Sequence, residues 1–494
     1  MKEIMVRSPR RKSSLSLLWL ISTISFCVIF VIASVPNADA QGRDQESRRY
    51  TSVIQNVFDF IQRHYVEEVD PQTIFEGALS GMFNALGDPY SSFLPEKEMS
   101  ALNETTQGSF GGVGLYISKP FSDAGGKPPY VEVASPIEDT PGWRAGISPG
   151  DLIIKINDES TDLLTMDEVL ARLRGAPGVA VHLIIRRGEK LEFPVTLVRA
   201  VIEVPTVKYA MMGDIGYVRL ITFTPMTVDR TGEALDYFKT QNVRSLVVDL
   251  RNNYGGLLQS AVGVCDFFLD DGVVVSTRSR IIGENAVFNA RRSTAVPADM
   301  PIVVLINRGS ASASEIVAGA LKDRGRAYLV GEKSFGKGSV QQVYPLEKAG
   351  FKITTARYYT PSDVNIDKIG IPPDREVLFP EFSDADAEKL NALIKENRIP
   401  DFVKANPQAA PAAVDAFVRQ LHEAYQLDLV LLRRLLRDEQ NRTTVAPVYD
   451  LEYDVQLQEA VNILRNGTYD RLMQTTKTLK DLQEEALMED ARAS

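Results

Sequence analysis

Two short segments carry the side chains best suited to chemistry. The first, Asn307-Arg308-Gly309-Ser310-Ala311-Ser312-Ala313-Ser314-Glu315, follows an apolar run, Ile302 to Ile306, that reads as a strand, and it precedes a stretch of helical periodicity. A serine at such a junction faces free backbone N–H groups and the positive end of a helix dipole, which suits a nucleophile whose reaction develops an oxyanion. Pattern alone does not separate Ser310, Ser312 and Ser314. Ser312-Ala313-Ser314-Glu315 also fits a capping box, in which Ser312 would do no more than begin a helix. The second segment, Ser334-Phe335-Gly336-Lys337-Gly338-Ser339-Val340-Gln341, offers an amine. Lysine is a general base only when neutral, and with a reference pKa near 10.4 about 0.04% of free lysine is neutral at pH 7. An apolar pocket without a nearby carboxylate can impose the roughly 4 kcal/mol that brings the value near 7. Lys337 has no acidic neighbour in sequence closer than Glu332, as such a pocket requires.

Other chemistries lack their residues. A Ser/His enzyme needs a histidine near its nucleophile, and the chain has only His64, His182 and His422, each far in sequence from both segments. The same scarcity removes a zinc site, so no metal is expected. Gly331 and Gly336-Lys337 begin a phosphate-binding pattern, but Gly338 stands where magnesium needs Ser or Thr, and a strand pattern follows in place of a helix; no cofactor is expected. A third segment, Leu250-Arg251-Asn252-Asn253-Tyr254-Gly255-Gly256-Leu257, joins a strand end to a helix start, and its glycines can present amides to an oxyanion or can simply turn the chain.

These segments need a scaffold. At 494 residues and 44% hydrophobic content the chain can bury large cores and should hold several domains. Lys2, Arg7, Arg10, Arg11 and Lys12, an apolar run from Leu15 to Ala33, and Ala38-Asp39-Ala40 read in order as a signal peptide over residues 1–40. If that segment stays uncleaved it is a membrane anchor, which would hold the protein near a membrane; either way the bulk is expected to be extracytoplasmic or periplasmic. Without residues 1–40 the chain has 50 basic and 63 acidic residues, a net of −13, which argues against nucleic acid as a partner. Cys27 falls in the apolar run, so the mature protein is expected to have Cys265 as its one thiol and no intramolecular disulfide.

Residues 41–105 carry apolar residues at helical spacing, among them Val53, Val57, Phe58 and Ile61. Residues 106–200 change to short β-type runs with Gly and Pro between them and one helix, Met166 to Leu173. Residues 201–380 alternate strands with helices, which implies an α/β layer with its active groups at strand C-terminal ends. Residues 381–494 are helical throughout, and Val430 to Leu436 and Val455 to Leu464 are the most amphipathic parts. The expected class is a multidomain α+β protein: an α/β catalytic core with an inserted β module and helical N- and C-terminal extensions.

In order and spacing, Gly309 to Glu315, Gly331 to Gly338 and Gln341 resemble the C-terminal processing (tail-specific) peptidases. So do Asp88-Pro89-Tyr90-Ser91, Phe110-Gly111-Gly112-Val113-Gly114, Ala145-Gly146-Ile147, Pro149-Gly150-Asp151, Asp249 to Gly256 and Gly370 to Asp374. The resemblance covers about residues 50–380. It implies a serine endopeptidase with a PDZ domain at 106–200, Ser312 as nucleophile, Lys337 as general base and Gln341 to orient the lysine. Four positions apart, Lys337 and Gln341 would face one side if both lie on a strand. The amides of Gly255 or Gly256 and of Ala313 would form the oxyanion hole. Asp323 occupies a position sometimes given to a charge relay; a carboxylate beside Lys337 would favour its protonated form, so Asp323 is expected to be positional. In the PDZ module Gly112, Val113 and Gly114 would receive a terminal carboxylate, with a peptide strand added beside Leu115 to Ile117. The implied partners are proteins with exposed apolar C-termini, and the helical ends suggest a homodimer. A non-catalytic tail-binding adaptor or holdase on the same fold is the alternative. Tyr254, where proline is common, and Asp363, where glycine is usual, depart from the family pattern.

Overall fold

The computed structural model describes residues 38–119, 130–137, 140–148, 150–188, 191–291, 295–378, 384–407, 409–442 and 447–493. The expected export segment, residues 1–40, lies outside them except for its last three residues. No described helix is long and apolar enough to cross a membrane.

The chain divides into two compact units at Gly87. In the first, Ala38–His64 and Pro71–Asn84 are helical, and Asp70 caps the second by accepting the N–H groups of Gln72 and Thr73 at 3.3 and 3.1 Å. Val53, Val57 and Phe60 recur at i, i+4 and i+7 on the first helix, and all three are exposed. Residues 88–105 belong to the second unit. The reason is the strand Ser92–Leu94, which pairs with Ala349–Tyr359 and buries Phe93 and Leu94.

The core of the second unit is a six-stranded sheet in the order Val207–Met212, Ile215–Leu220, Ser245–Asp249, Ile302–Ile306, Tyr328–Gly331 and Arg375–Glu376. All neighbours are parallel except the first pair. Ser245–Asp249 and Ile302–Ile306 are buried along their whole length, as strands covered on both faces must be. Thr227–Thr240, Leu258–Cys265 and Ala313–Asp323 cover one face, with Phe238, Val264, Phe268 and Val317 in the packing. The helix Val455–Arg465 covers the other, setting Leu457, Ala460 and Ile463 against Tyr217, Val247, Val303 and Val330. Part of the C-terminal extension thus completes the catalytic core. Another part, Asp384–Lys395, Arg398–Ala405, Pro411–Tyr425 and Leu429–Arg442, packs around its own apolar cluster that includes Leu393, Val418, Leu421 and Leu432.

The β module has the path Leu115–Ser118, Val131–Pro136, Leu152–Ile156, Ala180–Arg187 and Leu191–Val198, all antiparallel, with the helix Met166–Leu173 closing its core. Among the described residues Leu115–Ser118 lies at the edge, paired with Val131–Pro136 alone. Before and after the module, Ser109–Gly112 and Ala200–Glu203 pair as a two-stranded ribbon, so entry and exit are tied together.

Candidate active site

Ser312 stands at the turn from Ile302–Ile306 into the helix Ala313–Asp323, with φ +57° and ψ −113°. A non-glycine residue there is strained by about 1–3 kcal/mol and persists only if its surroundings fix it. Here they do. The Ala311 N–H donates to the Asn253 carbonyl at 3.0 Å, and the Ser312 N–H donates to Glu315 Oε2 at 2.8 Å. The three serines of the segment now differ. Ser310 Oγ donates to the Leu250 carbonyl and Ser314 Oγ to the Asn253 carbonyl, each at 2.8 Å and each fully buried. Ser312 alone is partly exposed.

Glu315 is fully buried and accepts four hydrogen bonds: Ser334 Oγ at 2.6 Å and the Gly336 N–H at 2.7 Å on Oε1, the Ser312 N–H at 2.8 Å and the Lys337 N–H at 2.9 Å on Oε2. A second link acts on the carbonyls. The buried Tyr358 hydroxyl lies within hydrogen-bond reach of the Ser312 carbonyl, at 3.3 Å, and of the Lys337 carbonyl. The backbones of Ser312 and Lys337 are therefore stapled together twice, by a shared acceptor and a shared donor.

The expectation of a lysine far from any carboxylate is corrected. Glu315 is its neighbour in space, and Asp88 also acts on it. Burial nevertheless holds the Lys337 amine below its ordinary value, with help from Lys352 and against the pull of the two carboxylates. Glu315 is itself pushed up by burial, against its four donors. The Lys337 side chain does not bond Ser312 Oγ in this structure; Nζ lies 4.9 Å from the centre of the Tyr90 ring, a cation–π distance.

Gln341 does not reach the lysine either. Its amide nitrogen donates to Ser339 Oγ at 3.0 Å and Thr354 Oγ1 at 3.1 Å. The expected common face fails because Lys337 precedes the strand Ser339–Leu346, so the alternation of that strand does not reach back to it. Asp323 ends the helix that Ser312 begins, about 16 Å away at 1.5 Å per residue. Its carboxylate accepts from the Ser362 N–H and hydroxyl and from the Leu479 N–H, so it anchors a loop and the helix Leu479–Ala493.

The glycine turn presses against the Ser312 turn. A Cβ on Gly255, whose φ is +102°, would fall 2.8 Å from Ser312 Cβ and 3.0 Å from the Ala313 nitrogen. The Gly255 N–H is already given to Asn253 Oδ1 at 2.9 Å. The N–H groups of Gly256 and Ala313 donate to no protein acceptor among the described residues. Asn253, fully buried, also donates to the Leu220 carbonyl at 2.8 Å, so it ties this turn to the neighbouring strand. In the β module the N–H groups of Val113 and Gly114 likewise have no protein acceptor among the described residues, and both stand at the start of the open edge beginning at Leu115, just after Gly112.

Sequence reasoning gave no role to Asn253, Tyr358 or Tyr90, and it read Glu315 only as half of a cap. That capping-box spacing was the one signal that could have singled out Glu315.

Comparison with known proteins agrees with this architecture. Residues 214–377 match peptidase family S41, residues 132–187 the PDZ domain, and residues 31–98 the N-terminal domain of the activating protease CtpB. The carboxy-terminal-processing protease of Bartonella bacilliformis is 39% identical over 357 residues, 71% of this chain and 79% of that protein. The chloroplastic carboxyl-terminal-processing peptidase 2 of Arabidopsis thaliana is 37% identical over 330 residues, 65% of this chain and 63% of that protein. Among solved structures, the photosystem II D1 C-terminal processing protease is 29% identical over 67% of this chain and 97% of its own, with a TM-score of 0.39. The chain belongs to the C-terminal-processing serine peptidases of family S41, the PDZ-containing kind.

Proposed function

We propose that this peptidase cuts proteins that expose apolar C-terminal tails, with Ser312 as nucleophile and Lys337 as general base. The observation that carries this reading is the double staple, through Glu315 and Tyr358, between the backbones of Ser312 and Lys337. It brings a strained, accessible hydroxyl and a partly desolvated amine onto adjoining turns. Rotation of Lys337 away from Tyr90 would let the neutral amine take the Ser312 proton as Oγ attacks the scissile carbonyl. The Gly256 and Ala313 amides would hold the oxyanion, Gly255 serving by close packing because its own N–H is engaged. The ammonium would then protonate the leaving amine, and water would release the acyl group by the same base. Gln341 would orient the amine after exchanging its present partners, and Asp323 takes no part in proton transfer.

The PDZ module is proposed to select the tail. A peptide strand would add along Leu115–Ser118, with its carboxylate on the amides of Gly112, Val113 and Gly114. The order of basic residues, apolar run and Ala38-Asp39-Ala40 supports export from the cytoplasm. The exposed Val53, Val57 and Phe60 face supports a homodimer in which a second copy covers it.

Four outcomes are expected. Ser312→Ala and Lys337→Met each reduce turnover of an unstructured, apolar-tailed substrate by at least about 10³-fold, with unchanged thermal unfolding; full activity in the lysine variant would refute the base. The neutral amine is the active form, so kcat/KM rises with pH through a limb centred below the 10.5 of a free lysine. A pH–rate profile without that limb would remove Lys337 from the proton transfer. Amidating the substrate's terminal carboxylate raises KM by about tenfold through loss of charge-assisted bonds, and equal KM values for the two substrates would exclude carboxylate capture. Sedimentation of the Val57→Glu, Phe60→Glu double variant gives half the native mass; a native monomer, or an undiminished mass, would dismiss the dimer.

A further inference from the structure

We propose that Asp454, at the start of the C-terminal helix Val455–Arg465, is a positioning residue for catalysis: it clamps Arg251 and thereby fixes the turn that carries Gly255 and Gly256. The inference rests on the proposed role of that turn in holding the oxyanion.

Arg251 lies between two carboxylates, with side chains 10% exposed for Arg251, 1% for Asp249 and 17% for Asp454. Nε and Nη2 donate to Asp249 at 3.0 and 2.7 Å, Nη1 and Nη2 to Asp454 at 2.8 and 2.6 Å, and Nη1 to Gln456 Oε1 at 3.1 Å. All five guanidinium N–H groups are thereby used. Asp249 Oδ1 also accepts the Arg251 backbone N–H at 2.9 Å, and Tyr217 donates its hydroxyl to Oδ2 at 2.7 Å. The same carboxylate therefore holds the side chain and the backbone where the strand Ser245–Asp249 gives way to the glycine turn.

The far side of the clamp comes from about 200 residues further along the chain. Asp454 caps its helix by accepting the Leu457 N–H at 2.9 Å, and the helix is set by burial of Leu457, Ala460 and Ile463 on the sheet. Two residues on, the fully buried Gln456 donates to the Val377 carbonyl at 2.8 Å and to Glu332 Oε1 at 3.3 Å. Glu332 opens the loop that leads to Lys337, and its N–H donates to the Ile306 carbonyl, the last residue of the strand before the Ser312 turn. One helix start thus touches the roots of both loops.

Stability alone is a poor reason for this arrangement, because buried ion pairs are often matched by apolar residues of similar volume. A fully satisfied charge network instead fixes orientation. A displacement of about 1 Å in a catalytic loop can cost 10²-fold in rate.

Asp454→Ser keeps a capping oxygen but is too short to reach Arg251. It is expected to lower kcat by about 10- to 100-fold while KM changes by less than about twofold. A peptide aldehyde, whose adduct with Ser312 carries the oxyanion, should lose affinity in parallel; the matching peptide carboxylate should not. Asp454→Asn, which retains one acceptor and the cap, should recover part of the rate, and it decides the matter if the serine variant does not fold. Leu457→Ala, which loosens the helix without touching Arg251, should lower the unfolding temperature and keep kcat. Wild-type kcat in Asp454→Ser, unchanged aldehyde affinity, or an equal loss of kcat in Leu457→Ala would overturn the proposal. Cleavage that survives Ser312→Ala would instead overturn the reading of the site itself.

Discussion

A single buried carboxylate holds the site together. Glu315 takes two donors on each oxygen, from the Ser312 turn on one side and from the Ser334–Lys337 loop on the other. Burying an unpaired carboxylate costs several kcal/mol, so the group must be matched by donors or protonated. Hydrogen bonds to a charged acceptor contribute about 1.5–3 kcal/mol each. Four of them meet the cost only while both loops keep their present positions. The cost of burial thus becomes a constraint on geometry, and the strain at Ser312 is held by the same network that locates Lys337.

The electrostatic consequences oppose one another. A negative Glu315 raises the affinity of Lys337 for its proton, whereas burial and Lys352 lower it, and the net direction is down. Asp88 adds to the first side. A lysine in this position is poised by competition and not by simple dryness. The expected apolar pocket therefore gives the right direction for an incomplete reason.

Much of the fold was legible because burial leaves a mark on composition. Ile302–Ile306 and Ser245–Asp249 are continuous apolar runs because both faces of the sheet are covered. Val455–Arg465 was visible as an amphipathic stretch, but nothing local says which surface an apolar stripe meets; only its partners Tyr217 and Val303 do so. The same limit applied at the site. The segment Gly309 to Glu315, Lys337 and the glycine turn could be picked out from residue type and position at strand ends, whereas only the family resemblance chose Ser312 among the three serines. Their connections could not, because Glu315, Tyr358 and Asp454 act across 22, 21 and 203 positions of chain. The Lys337–Gln341 argument failed because the strand begins only at Ser339, so the two-residue alternation it assumed does not extend to Lys337.

The position of Lys337 also limits what must change for chemistry to occur. Its backbone N–H and carbonyl are both engaged, by Glu315 and Tyr358, so the main chain has little freedom to move toward Ser312. Its side chain is different: the amine rests on the Tyr90 ring, a contact that favours the cation and is worth about 0.5–2 kcal/mol. The contact favours the protonated amine, whereas the base proposed for Lys337 must be neutral. In the proposed mechanism the step to a working pair is a rotation about side-chain bonds, a motion of picoseconds to nanoseconds in exposed residues. Its free-energy cost is the ring contact plus deprotonation, and desolvation offsets part of the second term. Under the proposed mechanism, release of the amine depends on Tyr90 and on the segment Asp88–Ser91, which is bound to the strand Ala349–Tyr359 through the hydrogen bond from the Thr354 N–H to Ser91 Oγ.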